Sequence, residues 1–353
     1  MKNKKGVMIA LAVMLAVVTI ISVQSVKAAG NRSTDGKVVF AVGGTVELRN
    51  TIELSLSEVG ALDVIYTSRS IKIYPIEGDT VVIKEYLLDE HKEGLATVTY
   101  EEMIGESSGR KKAVVKGNQD NVITVFGLNA GTERIEIYLP ESGLDSLQIK
   151  LGSGSVSTQE SFAYEGKDLQ VTTGSGSIKW QETTAQTAQF TSGSGSIQLK
   201  GIEADLQVTA SSGSIKMEDI TGDMTLASGS GSMKVYDSKG VMSVAAGSGS
   251  ITVDNLIGGG AFATGSGSIK VNVDEATCDI GIGAGSGSVK LVLPKDISFT
   301  LEAKSGSGSI ETDFDEELSY NKKGNEVSGV VGENPTCTVT VETKSGMIDI
   351  AAE

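Results

Sequence analysis

The stretches LQVTASSGSIKM (residues 206–217), MTLASGSGSMKV (224–235) and MSVAAGSGSITV (242–253) are three copies of one phrase, set 18 residues apart. In each copy two apolar residues spaced by two precede a corner that reads Ser-Ser-Gly in the first copy and Gly-Ser-Gly in the others, and two more follow it: Leu206/Val208 then Ile215/Met217, Met224/Leu226 then Met233/Val235, Met242/Val244 then Ile251/Val253. Spacing of two places alternate side chains on one face of a strand. The parity changes across the Gly-Ser-Gly, so that segment is a corner between two short strands. A glycine suits a corner because corners often need positive φ. Asp219, Asp237 and Asn255 recur at one phase after the second strand and mark a second corner.

Outward from these copies the phrase returns at Gly154, Gly176, Gly195, Gly267, Gly287, Gly308 and Gly346, besides Gly213, Gly231 and Gly249. The spacings run 22, 19, 18, 18, 18, 18, 20, 21 and 38 residues. A near-constant period of this length marks a stacked architecture, in which one coil cannot bury its own apolar face and the stack can. The expectation is an all-β, single-stranded β-helix or β-solenoid of about ten 18–22-residue coils, with right-handed winding the favoured sense. The hexapeptide β-helix, which also uses about 18 residues per coil, does not fit. Inward positions at −7, −5, +2 and +4 from the glycine share no six-residue phase, which removes the acyltransferase reading tied to that fold.

Residues 29–135 read as an irregular β-rich region, with strands at 80–83, 95–100 and 121–126 and a polar loop at 105–112. One segment has the repeat pattern: Leu62, Val64, then Ser68-Arg69-Ser70-Ile71-Lys72-Ile73, with Arg69 where the glycine would be. This region is either a run of degenerate coils or a β cap over the open end of the stack, which exposed strand edges require. The regular repeat domain spans 136–353. Within it residues 311–336 break the rhythm as an acidic, loop-like stretch that lengthens or hides one coil.

The chain begins with a basic start at Lys2, Lys4 and Lys5, an uncharged run from Gly6 to Val23 and Val26-Lys27-Ala28, the pattern of an export segment. Cut, residues 1–28 are a signal peptide; uncut, residues 6–23 are long enough to anchor the chain in a membrane. The pattern favours cleavage, and no cysteine lies near for lipid attachment. The net charge of −15 becomes −19 once the four lysines of residues 1–28 are gone. So acidic a body excludes nucleic acid as a partner and leaves membrane contact to residues 6–23 alone. Localisation is then extracellular or envelope-associated. Leu139-Pro140-Glu141-Ser142-Gly143 imitates a wall-sorting signal but is internal and reads as a turn.

Cys278 and Cys337 each lie nine residues before a repeat glycine, and Phe299 holds the same phase between them. Two stack steps separate them by about 9.6 Å, beyond the roughly 7 Å limit for bridged Cα atoms. Two free thiols are expected.

The residues resemble a known family. Ile135 to Pro140 with Ser-Gly-Ser-Val at 153–156, and Leu291 to Pro294 with Ser-Gly-Ser-Ile at 307–310, each place proline 14 residues before the glycine. With the ending from Gly332 through Thr340 to Ile350, this resembles the bacterial putative-adhesin family of unknown function, whose β-strand repeats form a β-helix. The resemblance covers most of residues 60–350. It implies an exported or membrane-anchored envelope protein with a β-helical body, and it brings no catalytic residues.

Chemistry-bearing motifs are scarce. The one histidine, His91, sits among Asp89, Glu90 and Lys92 and reads as a surface residue, and no second histidine exists for a metal cluster or a triad. Gly105-Glu106-Ser107-Ser108-Gly109 has the letters of a nucleophile elbow without its strand-turn-helix setting. Gly258-Gly259-Gly260 lacks the aspartates of a calcium-binding repeat, and there is no phosphate-binding loop. The Asp219/Asp237/Asn255 column reads as turn residues before it reads as a cation site. No cofactor is expected.

The outward positions carry the functional reading. Before the glycine they run Gln170/Thr172, Gln189/Thr191 and Gln207/Thr209, then Thr225/Ala227, Ser243/Ala245, Ala261/Ala263 and Gly281/Gly283, with no charge. After it, Lys179, Lys216, Lys234, Lys270 and Lys290 form a charged column that Glu218, Asp219, Asp237 and Asp254 compensate. The bare face is either covered by residues 75–135 or is a docking surface for glycan, cell-wall polymer, an envelope protein or a second copy. The expected function is a non-catalytic surface or envelope interaction protein. Two alternatives remain at this level: a membrane-anchored accessory of envelope-stress signalling, and a carbohydrate-active enzyme with acids gathered in a groove, for which residues 311–320 are the candidate.

Overall fold

Alternating apolar and polar residues with one period fold into parallel ladders, in which each residue lies beside its equivalent one coil away. A computed structural model describes residues 45–88, 94–103, 109–117, 132–160, 162–314 and 318–353. The architecture is an all-β solenoid, as the repeat requires. The candidate export segment, His91, the Gly105–Ser108 part of the elbow motif and the expected strand at 121–126 lie outside the described residues. The described chain divides into two compact units, Ser25–Ala204 and Asp205–Glu353.

In the unit Ser25–Ala204, Asp168–Thr173 lies parallel between Ser146–Leu151 and Ile178–Ser192. The inward columns are Leu147–Leu169–Ala188 and Ile149–Val171–Phe190. Trp180, fully buried, packs edge-on to Phe162 and against Phe190, and its indole N–H donates to the Thr183 hydroxyl at 2.8 Å. Residues 59–75 are a true coil. Leu62 pairs with Leu147, Val64 with Ile149 and Ile71 with Val156. Outside that coil lie Lys111–Lys116 and Arg134–Leu139, also parallel to it, so sequence order and spatial order differ. The parallel ladders end in antiparallel strands: Thr97–Glu102 on Lys111–Lys116, and Glu47–Ser55 on Thr80–Leu87, which itself lies on Arg134–Leu139. Such pairing closes edges that a parallel stack would leave open.

In the unit Asp205–Glu353 the rungs follow the predicted register through Val208, Leu226, Val244, Phe262 and Ile282 on one side, and through Ile215, Met233, Ile251, Ile269 and Val289 on the other. The order then departs from the sequence. Ile282 pairs next with Val341, and Val289 with Ile348; only beyond these do Ala303 and Ile310 follow. The coil of Gly346, last in the chain, is thus inserted between the coils of Gly287 and Gly308. Residues 311–336 are not simply the loop expected of them. Leu318–Tyr320 and Glu326–Val331 form an antiparallel pair, and the second strand pairs antiparallel with Phe299–Ser307. This hairpin covers the outer edge of the Gly308 coil while the chain returns to fill the gap inside it. The 38-residue interval supplies the length for the excursion.

The corners are glycine for two reasons: Gly267, Gly287, Gly308 and Gly346 adopt the positive φ expected of a corner, and close stacking between coils acts as well. Gly176, Gly195, Gly231 and Gly249 do not have positive φ. A Cβ on any of them would fall well inside 3.0 Å of the carbonyl oxygen of the corner glycine in the coil beneath, namely Gly154, Gly176, Gly213 and Gly231. Close stacking of backbone on backbone leaves no room for a side chain. Positive φ recurs at the second corner: Asp219, Asp237 and Asn255 adopt φ of 57, 52 and 61°, a left-handed conformation that Asp and Asn tolerate. That accounts for their residue types as turn formers. Asn255 donates its amide to the Asp237 carboxylate at 2.7 Å.

A buried hydroxyl three residues before the corner glycine ties coil to coil, and the sequence reading passed over it. Ser192 Oγ accepts from Gly195 N at 2.9 Å and donates to the Gly176 carbonyl at 3.0 Å. Thr173 does the same with Gly176 N and Gly154 O, and Thr264 donates to Gly249 O at 2.9 Å. The recurrence of Thr or Ser at that phase was the available signal.

Candidate interaction face

Parallel in-register strands bring like residues together, and this shapes the bare face. In the unit Ser25–Ala204, Gln148, Gln170 and Gln189 are ladder neighbours, as are Lys150, Thr172 and Thr191. The amides chain along the stack: Gln148 Nε2 donates to Gln170 Oε1, and Gln170 Nε2 donates to Gln189 Oε1 at 2.6 Å. Gln170, Thr172, Gln189 and Thr191 are half-buried, with their uncharged edges turned outward. The run is bounded by charge, because Gln148 pairs on its other side with Asp63, which holds Lys112 at 3.3 Å.

In the unit Asp205–Glu353 the same phase runs from Gln207 through Thr225, Ser243, Ala261 and Gly281, and from Thr209 through Ala227, Ala245, Ala263 and Gly283. Gln207 is half-buried and Thr225 exposed, but Thr209 is only 7% exposed and offers little surface to a partner. Within the unit Ser25–Ala204 the described strands of residues 80–116 pair edge to edge with neighbouring strands.

The lysine column is neutralised partly as expected. Lys270 meets Asp254 at 2.8 Å and Lys216 meets Glu218 at 4.0 Å. Lys290 instead finds Asp349 at 2.7 Å, a partner brought by the inserted coil, and the ion pair holds its ammonium above the usual lysine range.

Acidic groups do gather in one place, although not at residues 311–320 alone. A shallow cleft of about 500 Å³ is lined by Glu302, Lys304, Tyr320, Glu326, Ser328 and Glu342. Lys304 forms an ion pair with Glu326, which pushes its ammonium upward. The cleft depends on the hairpin and on the insertion, which puts Glu342 beside Lys304.

With the rungs, corners and outward columns in place, comparison with known proteins is decisive on kinship. The Toastrack DUF4097 family model matches residues 106–240 and again 204–351. The chain belongs to the Toastrack DUF4097 family. The second Toastrack match begins beside the boundary between the two compact units, at Asp205. This Toastrack chain is also similar over most of its length to three solved structures. One is a "putative cell adhesion protein" from Clostridium sporogenes, at 13% identity over 86% of this chain and 98% of that one, with a TM-score of 0.23. The second is a "putative adhesin" from Bacteroides fragilis, at 13% identity over 87% and 100%, with a TM-score of 0.39. The third, from Parabacteroides distasonis and described in the same words, has 10% identity over 88% and 100%, with a TM-score of 0.31. No residue role is carried over from them. No curated protein matches the Toastrack chain.

Proposed function

We propose that this Toastrack protein is a non-catalytic interaction protein of the bacterial envelope, exported through residues 1–28, that docks glycan or wall polymer on its uncharged columns. The observation that carries the reading is the amide ladder Gln148–Gln170–Gln189 beside the hydroxyls of Thr172 and Thr191. From Gln170 to Thr191 such a surface has donors and acceptors at the strand spacing and no charge to desolvate, with Lys150 at its margin, which suits the hydroxyl groups of a neutral sugar chain. The acidic cleft supports a hydrolase less well. Hydrolysis of a glycosidic bond needs two facing carboxyl groups free to act as acid and base, and Glu326 is tied to Lys304.

The test replaces Thr172 and Thr191 by lysine and measures binding of the full chain to purified envelope polysaccharide. The substitutions leave the inward ladder intact, so folding is retained. Binding should fall at least about tenfold, because stacked ammonium groups beside Lys150 repel and must be desolvated. Unchanged binding would sink the docking face. The mass and cellular fraction of the native protein test export: loss of residues 1–28 with protein in wall or medium supports a released binder, whereas a full-length chain in the membrane fraction supports a tethered one.

A further inference from the structure

Insertion of the last coil changes the relation between the two cysteines. The expected separation of two coils assumed that Phe299 stood between them. Phe299 instead pairs with Cys337 from the far side, and the coil of Cys278 is the direct neighbour of the coil of Cys337. Ile280 pairs with Val339 and Ile282 with Val341, so Cys278 and Cys337, each two residues earlier, occupy the same phase of adjacent rungs. Both follow the inward parity of these buried partners: Cys337 is buried and Cys278 half-buried. One strand step is about 4.8 Å, inside the window of about 4.4–6.8 Å for the Cα atoms of a disulfide.

We propose that Cys278 and Cys337 are a disulfide site that fastens the inserted C-terminal coil to the coil beneath it. Both thiols are free in this structure, as the sequence leads one to expect. One feature makes closure feasible. Cys278 sits in a bulge, since Gly258 pairs with Ala276 while Gly260 pairs with Ile280, so the ladder does not hold its Cα on that side. Its sulfur rests against Gly259, on the side away from Cys337, so closure turns the side chain from the one coil toward the other. Next to the pair, Asp279 Oδ1 accepts from Thr338 N at 2.7 Å and holds the start of the last coil against the bulge.

The oxidant is a small-molecule disulfide. The Cys278 thiol, the more exposed of the two, loses its proton and attacks one sulfur of the oxidant, releasing one small thiol and leaving a mixed disulfide. The Cys337 thiol then loses its proton and attacks Cys278 Sγ, and the second small thiol departs. Two protein thiols are oxidised to one disulfide, and the oxidant is reduced to two thiols that take up the two protons. Burial pushes both protein thiols upward, so the exchange is slow at neutral pH.

The experiment treats the purified, reduced full chain with glutathione disulfide, then maps disulfides by peptide mass spectrometry and follows thermal unfolding. The expected result is loss of both free thiols, a Cys278–Cys337 peptide and a melting temperature raised by roughly 5–10 °C, reversed by reductant. In the Cys278→Ser variant the same treatment should leave the melting temperature unmoved. Persistence of both thiols, glutathione adducts without an internal link, or a link between two chains would each overturn the proposal.

Discussion

The Thr343 hydroxyl donates to the carbonyl oxygen of Gly287 at 3.4 Å, across 56 residues of sequence. Its equivalents elsewhere reach only one period back, as from Thr173 to Gly154 or from Ser192 to Gly176. Ser305 completes the pattern by donating to Gly346, 41 residues ahead of it. One short-range device, repeated at every corner it occupies, therefore records the spatial order of the coils. At the C-terminal end that order is Gly287, Gly346, Gly308.

Removing residues 333–353 should abolish cooperative unfolding of the unit Asp205–Glu353. Cys337–Ser345 is flanked by parallel strands on both sides, so its loss separates Phe299–Ser307 and its hairpin from the rest of the ladder. Urea denaturation followed by circular dichroism, with limited proteolysis, checks this. A single unshifted transition would show that the insertion contributes nothing.

Gly249→Ala should cost on the order of 4 kcal/mol or more, because its Cβ meets the Gly231 carbonyl and the stacked backbones must part. Gly324→Ala is the contrast. Its backbone has φ +68° with nothing within 4 Å, so the cost should be only about 1–2 kcal/mol of backbone strain. Equal losses in denaturant titrations would contradict the stacking argument.

Ser192→Ala should destabilise by roughly 1–3 kcal/mol, since it strips a buried donor and acceptor from Gly176 O and Gly195 N. Ser194→Ala, at an exposed corner position, should change stability by less than about 0.5 kcal/mol. Thermal melts of both variants decide it.

Alkaline pH should unfold the unit Ser25–Ala204. Burial pushes the Tyr66 and Tyr164 hydroxyls well above the ordinary phenol value of 10.0, and Tyr138 up to about 12 by burial and its bond to Glu136. A pKa raised in the folded state stabilises fully below the unfolded value and is lost as pH climbs toward the folded one. Stability should hold up to about pH 10 and fall above it, with these phenols ionising late and together with loss of structure. Phenolate absorbance recorded beside circular dichroism checks this. Early ionisation of all tyrosines in a folded chain would refute it.

The parts legible from the chain were those set by neighbours in sequence. Period, strand parity, inward residues and corner positions follow from alternation around the glycines, and even the Arg69 coil declared itself by its flanking pattern. Arg69 itself is buried at 8% exposed, and its guanidinium lies 3.6 Å from Glu133. Positive φ accounts for Gly267, Gly287, Gly308 and Gly346, whereas Gly176, Gly195, Gly231 and Gly249 answer to close approach of a second coil, which a local φ argument does not contain.

Coil order was beyond the sequence for a related cause. Every rung offers nearly the same edge, the same glycine carbonyls and the same apolar columns, so local pattern allows the last coil to sit on any of them. The repeat by itself determined a stacked all-β chain with uncharged columns on one face. Only long-range pairing decided that Gly346 enters between Gly287 and Gly308, and with it that Cys278 meets the coil of Cys337 and Lys290 meets Asp349. The hairpin at 318–331 makes that choice, since it occupies the outer edge of Phe299–Ser307 and leaves only the inner one open.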